Sequence, residues 1–243
     1  MAMLEVQGLM KSFGGLMAIH HLNLAIEEGE IVGLIGPNGA GKTTLFNLVS
    51  GFLRPDSGKI IFKGENITGL KPHVVCKKGI ARTFQIVKPF PKLTTFRNIR
   101  IGAYHRSSSS RKIIDKKVEE ILNFLGLAEK KKMLGSDLTI ADRKNLELGR
   151  ALATGPQLLL LDEIMGGLNP VEQEKMVNIV QRLNQEGITL LVIEHNMRVI
   201  MSLSQRIVVL NYGEKIAEGS PEEVARNQNV IKVYLGDQGN VRD

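Results

Sequence analysis

The chain has 243 residues, 43% of them hydrophobic and 23% charged, with a formal net charge of +7. That apolar fraction at this length suits one compact globular unit with a sizeable core, and excludes general disorder. Its single cysteine, Cys76, excludes a disulfide scaffold, and no apolar run approaches the roughly 18 residues of a membrane span. The first six residues have neither a basic head nor an apolar stretch of the signal-peptide kind, so the expected location is the cytoplasm. The basic residues are spread apart from Lys130-Lys131-Lys132, Arg111-Lys112 and Lys116-Lys117, which read as solvated helix faces. Charge alone selects no partner among phosphate ligands, nucleic acid and anionic membranes.

Residues 4–9 and 22–26 alternate apolar with other residues, which predicts half-buried antiparallel strands. Residues 30–35 are more continuously apolar, as in a strand buried on both faces. A Pro-Asp-Ser-Gly turn at 55–58 leads into a strand at 59–62. From about 85 to 155 no buried strand is predicted. Val118, Ile121, Leu122 and Leu125 recur there at helical spacing, and a serine-rich loop occupies 107–110. Residues 85–155 therefore predict a helical subdomain inserted into an α/β core. Short apolar strands follow at 158–161, 189–193 and 206–210, with a helix over 171–183. Ser220-Pro221-Glu222-Glu223 opens a late helix, with a capping Ser, Pro in the first position and Glu three after the cap. Strands alternating with helices predict a mainly parallel core sheet, and the early strands an antiparallel side layer.

Gly36-Pro37-Asn38-Gly39-Ala40-Gly41-Lys42-Thr43 fits G-x-x-x-x-G-K-[ST] between a buried strand and a helix. Glycines let successive N–H groups face a phosphate, the helix start adds partial positive charge, and Lys42 reaches the β- and γ-phosphates. The Thr43 hydroxyl is placed to ligate Mg²⁺. Asp162 and Glu163 emerge at the C-terminal end of the strand Leu158–Leu161, where α/β sheets place ligands. Asp162 is the natural Mg²⁺ partner; Glu163 points differently and suits a general base for an attacking water. His195, after the strand ending at Ile193, stands in the same position relative to its own strand, where it reads either as structural or as a γ-phosphate contact. His20, His21, His73 and His105 lack such a context, and Cys76 reads as a packing residue.

On these motifs the chain resembles an ATP-binding cassette (ABC) ATPase from about Leu4 to Gly236, with 237–243 as a tail. The resemblance implies an ABC-type P-loop NTPase of the α/β class that binds ATP and Mg²⁺. It matches Phe13 to the aromatic on adenine and Thr44 to the ATP-contacting set, beside residues 36–43. Gln85, in Ala81-Arg82-Thr83-Phe84-Gln85, matches the glutamine that touches Mg²⁺ and the attacking water. His195 matches the switch histidine, and Gly167-Leu168-Asn169-Pro170 the loop that crosses the nucleotide dimer. Arg82-Thr83-Phe84-Gln85, Leu93-Thr94-Thr95-Phe96-Arg97-Asn98-Ile99 and the closing Asn229 to Gly236 resemble the first ATPase subunit of branched-chain (hydrophobic) amino acid importers. That implies a second ATPase subunit (a heterodimer, or a homodimer), transmembrane permease subunits and, indirectly, a periplasmic or extracellular solute-binding protein. It also implies a peripheral place on the inner face of the cell membrane and coupling through the segment Lys88-Pro89-Phe90-Pro91.

The chain departs from the family pattern in three places. Where the signature has L-S-G-G-Q, this chain has Leu138-Thr139-Ile140-Ala141-Asp142, the segment that would act on the partner's ATP. Ala141 adds a methyl, and Asp142 a negative charge. At about 8 Å from a phosphate, with an effective dielectric near 20, that repulsion is roughly 2 kcal/mol. Alternatively, Thr139 and Asp142 fit a local capping box. Ile164 replaces the usual proline and Asn169 the usual aspartate. A soluble ABC protein acting on nucleic acid would carry two cassettes, a long coiled-coil insertion or zinc cysteines; none is present, so no nucleic-acid partner is expected. A mainly regulatory ATP-binding subunit is the third reading, opposed by the intact Glu163 and His195. Amino acids are the default cargo, with urea or short amides left open.

Overall fold

The computed structural model describes residues 2–104 and 110–235. The serine loop at 107–110, apart from Ser110, therefore lies outside the described residues, as do His105, Gly236 and the tail 237–243. In chain order the elements begin with β1 (Ala2–Phe13), β2 (Leu16–Glu27), β3 (Ile31–Ile35), α1 (Lys42–Val49), β4 (Ser57–Phe62) and β5 (Glu65–Asn66). Then come α2 (Pro72–Lys78), β6 (Ile80–Arg82), α3 (Thr95–Tyr104) and α4 (Arg111–Phe124), followed by 3-10 turns at Ala128–Lys130 and Gly135–Asp137. After these lie α5 (Ile140–Ala153), β7 (Leu158–Asp162), α6 (Pro170–Gln185), β8 (Thr189–Ile193) and α7 (Met197–Leu203). The chain closes with β9 (Arg206–Asn211), β10 (Glu214–Gly219), α8 (Pro221–Arg226) and α9 (Gln228–Leu235). These form two compact units, residues 1–72 with 189–243, and residues 73–188.

The first unit has an antiparallel sheet in the order β2-β1-β4-β5. Its alternating strands meet apolar to apolar: Leu4 opposes Ile26 and Phe62, and Val6 opposes Leu24 and Ile60, all buried. β3 instead lies between β8 and β9, parallel to both, and β9 turns back into β10. Every residue of β3 and β8 is buried, which is why these strands read as continuous apolar runs. Each fully buried Val, Leu or Ile there contributes about 1.5–3 kcal/mol. Helix α1 buries Leu45, Phe46, Leu48 and Val49, a one-sided helical stripe.

In the second unit β6 pairs in parallel with β7, Ile80 opposite Leu158 and Arg82 opposite Leu160. Helix α4 buries Ile114, Val118, Ile121 and Leu122, the predicted stripe extended by one turn. Helices α3 and α5 approach closely at Gly102, where a Cβ would lie 2.3 Å from the Arg150 carbonyl oxygen. Predicted strands 4–9, 22–26, 30–35, 59–62, 158–161, 189–193 and 206–210 fall within β1, β2, β3, β4, β7, β8 and β9, give or take a residue at one end. Strands β5, β6 and β10 were not anticipated. The first two span two and three residues, and β10 mixes charged with half-buried positions, so none carries a period.

Candidate nucleotide site and coupling segment

In the first unit the loop from Gly36 to Gly41 joins β3 to α1. A Cβ on Gly36 would meet the Leu210 carbonyl oxygen at 2.1 Å, so packing admits only glycine there. Gly41 has φ +103° and precedes α1 without a side-chain cap, leaving the first amides of the helix for an anion. Lys42 is buried, and its ammonium donates to the carbonyls of Gly36 (2.6 Å) and Pro37 (3.0 Å), which ties the cation to the loop it serves. The Ala40 amide closes the turn onto the Pro37 carbonyl (3.2 Å), while Asn38 and Gly39 are exposed at its tip. Thr43 is exposed on the first turn of α1 and Thr44 half-buried. Tyr234 of α9 faces the Gly36 backbone; burial pushes its phenol up, and the Gly36 amide opposes the rise. Nothing in the residue pattern signals that contact.

Phe13 ends β1 half-exposed, with the Lys11 ammonium 5.6 Å from its ring centre. Lys11 is itself fixed by Asp56 at 2.7 Å. His195 is exposed between β8 and α7, on a turn that Asn196 fixes by accepting from the Arg198 and Val199 amides.

In the second unit Asp162 ends β7 and is buried against Arg82, their nearest atoms 2.7 Å apart. The Asp162 amide donates to the Thr83 hydroxyl (3.1 Å). Glu163 follows in a left-handed conformation, φ +50°, a strained state for a residue with a side chain. Side chains from elsewhere in the unit hold it there. The Lys144 ammonium donates to its carbonyl (2.9 Å), and the Gln85 side-chain amide donates to its Oε2 (2.6 Å). The structure thus brings together Gln85 and Glu163, 78 residues apart in sequence. Arg82 was legible only as part of a family motif, and Lys144 carried no signal.

The segment after Gln85 is irregular but anchored. Asn98 accepts the Phe90 amide (2.9 Å) and donates to the carbonyls of Phe90, Leu93 and Thr94 (3.1 Å each). Arg150 donates to the Lys88 carbonyl (3.0 Å) and lies 4.8 Å from the Phe90 ring centre. Phe84, Ile86 and Phe90 remain exposed above these anchors. The Phe84 amide donates to Glu147, whose carboxyl is pushed up by burial, with that bond opposing the rise.

At 138–142 the local alternative is realised in part. Thr139 caps α5, accepting the Asp142 amide (3.2 Å), and Asp142 in return takes the Thr139 hydroxyl (2.7 Å). Lys130 donates to both Asp142 oxygens at 2.7 Å. Burial pushes this carboxyl up, but the Lys130 and Thr139 bonds outweigh it and leave it below the usual carboxylate range. Leu138 is buried, Ala141 half-buried and Ile140 exposed. Asn169 caps α6 in a complete box with Glu172, a role that asparagine fills as well as aspartate.

The family described as ABC transporter matches residues 19–166, and the branched-chain amino acid ATP-binding cassette transporter family matches residues 214–239. The chain is similar to the high-affinity branched-chain amino acid transport ATP-binding protein BraF of Pseudomonas aeruginosa, 38% identical over 96% of this chain and 98% of BraF. LivG of Escherichia coli K12, with the same description, is 37% identical over 97% and 98%. The lipopolysaccharide export system ATP-binding protein LptB of Haemophilus influenzae is 34% identical over 98% and 99%. Among solved structures, the ADP conformation of an ATP-binding cassette of an ABC transporter superposes with a TM-score of 0.89 at 30% identity, covering 98% of this chain and all of the other. A dimeric post-hydrolysis cassette bound to ADP and phosphate gives 0.81 at 26% identity, over 90% and 99%.

Proposed function

We propose, for a chain that belongs to the ABC transporter family and acts as an ATP-binding, ATP-hydrolysing subunit of a transport system, that the cargo is branched-chain or other hydrophobic amino acids. Overall identity does not separate cargoes, since a relative named for lipopolysaccharide export is 34% identical. The match at 214–239 to the branched-chain amino acid cassette family supports the narrower reading.

ABC ATPases work as dimers with permease subunits. Here the proposed dimer partner is a second, distinct ATPase, with a solute-binding protein engaged indirectly through the permeases and the complex on the inner membrane face. One ABC domain spans 4–236, with its helical subdomain at about 85–155. ATP is held by residues 36–44, with Lys42 on the β/γ-phosphates and Phe13 against the adenine. The family resemblance assigns Mg²⁺ to Thr43, Gln85 and Asp162, and each of these carries an oxygen donor suited to a hard dication. When bound, Mg²⁺ neutralises phosphate charge. Glu163 accepts the proton of the attacking water, His195 contacts the γ-phosphate, and 138–142 faces the partner's nucleotide.

The observation that carries the mechanism is the 2.6 Å hydrogen bond from Gln85 to Glu163. It joins the hydrolytic carboxylate to the start of the segment whose exposed Phe84, Ile86 and Phe90 suit a permease contact. The test is uptake of labelled leucine into proteoliposomes holding this chain with its partner subunits. Uptake that needs ATP and an intact Glu163 supports the reading. Leucine uptake indifferent to this chain overturns it.

A further inference from the structure

The net charge is not spread over the molecule. Residues 92–132 hold eleven of the thirty-two Lys and Arg but only four of the twenty-five Asp and Glu. Their excess of seven equals the charge of the whole chain, and the remainder is balanced at twenty-one of each sign. The clusters Arg111-Lys112, Lys116-Lys117 and Lys130-Lys131-Lys132 all fall inside this window.

The fold gathers five of these cations in one groove. Arg97 and Arg100 from α3, Arg111 from α4, and Lys131 and Lys132 after the 3-10 turn line an open groove of roughly 340 Å³. Among the described lining residues only Asp115 and Glu119 answer them: Asp115 lies 3.1 Å from Arg100 and 3.8 Å from Arg111, and Glu119 lies 2.9 Å from Lys131. Ile101 and Tyr104, one and two turns on from Arg97, are exposed along the same side of α3, and Ile113 is exposed on the first turn of α4. Cations mixed with exposed apolar side chains are what a headgroup interface selects, since long basic side chains meet phosphates while apolar ones enter the acyl boundary. No described helix is long and apolar enough to cross a membrane, so contact through the described residues must be made by a surface.

We propose that this α3–α4 face binds anionic phospholipid headgroups, with the groove seating a phosphate and Ile101, Tyr104 and Ile113 entering the interface. The proposal goes beyond the transport reading and stands whatever the cargo.

The test is co-sedimentation of the full chain with vesicles of phosphatidylcholine alone, or with about 30% phosphatidylglycerol. The expected result is binding at least tenfold tighter to the anionic vesicles and lost in high salt, because surface charges are screened within about 3 Å at 1 M. Arg97→Glu with Lys132→Glu should weaken it at least tenfold. Lys175→Glu with Arg226→Glu, exposed on α6 and α8, should not. Ile101→Ser should weaken it several-fold at constant charge. If the double Glu variant does not fold, Arg97→Gln with Lys132→Gln replaces it. Equal binding to neutral vesicles, undiminished binding by the groove variants, or full competition by millimolar inorganic phosphate would each overturn the proposal. Loss of permease assembly with unchanged vesicle binding would do so too, pointing to an acidic protein segment instead.

Discussion

The left-handed backbone at Glu163 costs about 1–2 kcal/mol for a residue with a Cβ, and the Lys144 and Gln85 contacts offset it. This orients the carboxylate before substrate arrives, as suits a general base rather than a nucleotide-binding group. Glu163→Gln should therefore leave ATP affinity intact and cut hydrolysis by about 10²–10⁴-fold, the scale of a general base. Lys42→Ala should abolish tight binding, because it removes the cation tied to the phosphate loop. Nucleotide binding and turnover measured on both variants check this; equal losses of affinity would make the assigned roles wrong. Arg82→Met tests a different kind of support. It leaves the Asp162 carboxylate buried without its ion partner, a loss of about 3–5 kcal/mol readable as a shift in urea midpoint.

Helix starts are where local chemistry was most and least legible. The Ser220 box on α8 could be read from four residues, and the structure contains it complete. The start of α5 could not, because the deciding partner of Asp142 is Lys130, twelve positions earlier and fixed only by the fold. With that ammonium on both carboxylate oxygens, the roughly 2 kcal/mol repulsion of a neighbouring phosphate is largely neutralised. Restoring glutamine at 142 should thus bring little gain in ATPase rate at the composite site. Asp142→Asn should instead lower stability at pH 7. The folded carboxyl lies below its usual range, so its stabilisation is present above the unfolded value of about 3.9 and is lost as pH falls through the lower folded value. The gap between native chain and variant should close below about pH 4, and urea midpoints across pH 2–7 would show a pH-independent gap if the assignment were wrong. Thr139→Ala should cost about 1 kcal/mol by loss of the α5 cap.

Over the whole molecule, the layers were legible because the two kinds of strand differ in burial. Alternation marked β1 and β2, and continuous apolarity marked β3, β7 and β8. The Gln85–Glu163 pair and the Asn98 anchor were not legible, since both depend on how separate elements dock. Nor was the division of the chain: the first unit is assembled from residues 1–72 and 189–243, with the second unit between them in sequence. That division bears on how the protein is made. β3 leaves the ribosome early, yet both strands that pair with it, β8 and β9, are encoded more than 150 residues later. At roughly 5–20 residues per second, its two bare edges and four apolar side chains wait about 8–30 s for partners. A nascent chain stalled with residue 185 just emerged should be cleaved by protease near β3, and one released at full length should be protected there. Protection of the stalled chain would show that the early strands find another shelter. During that interval β3 lacks both strands that pair with it, so what covers its edges must come from the early strands around it or from outside the chain.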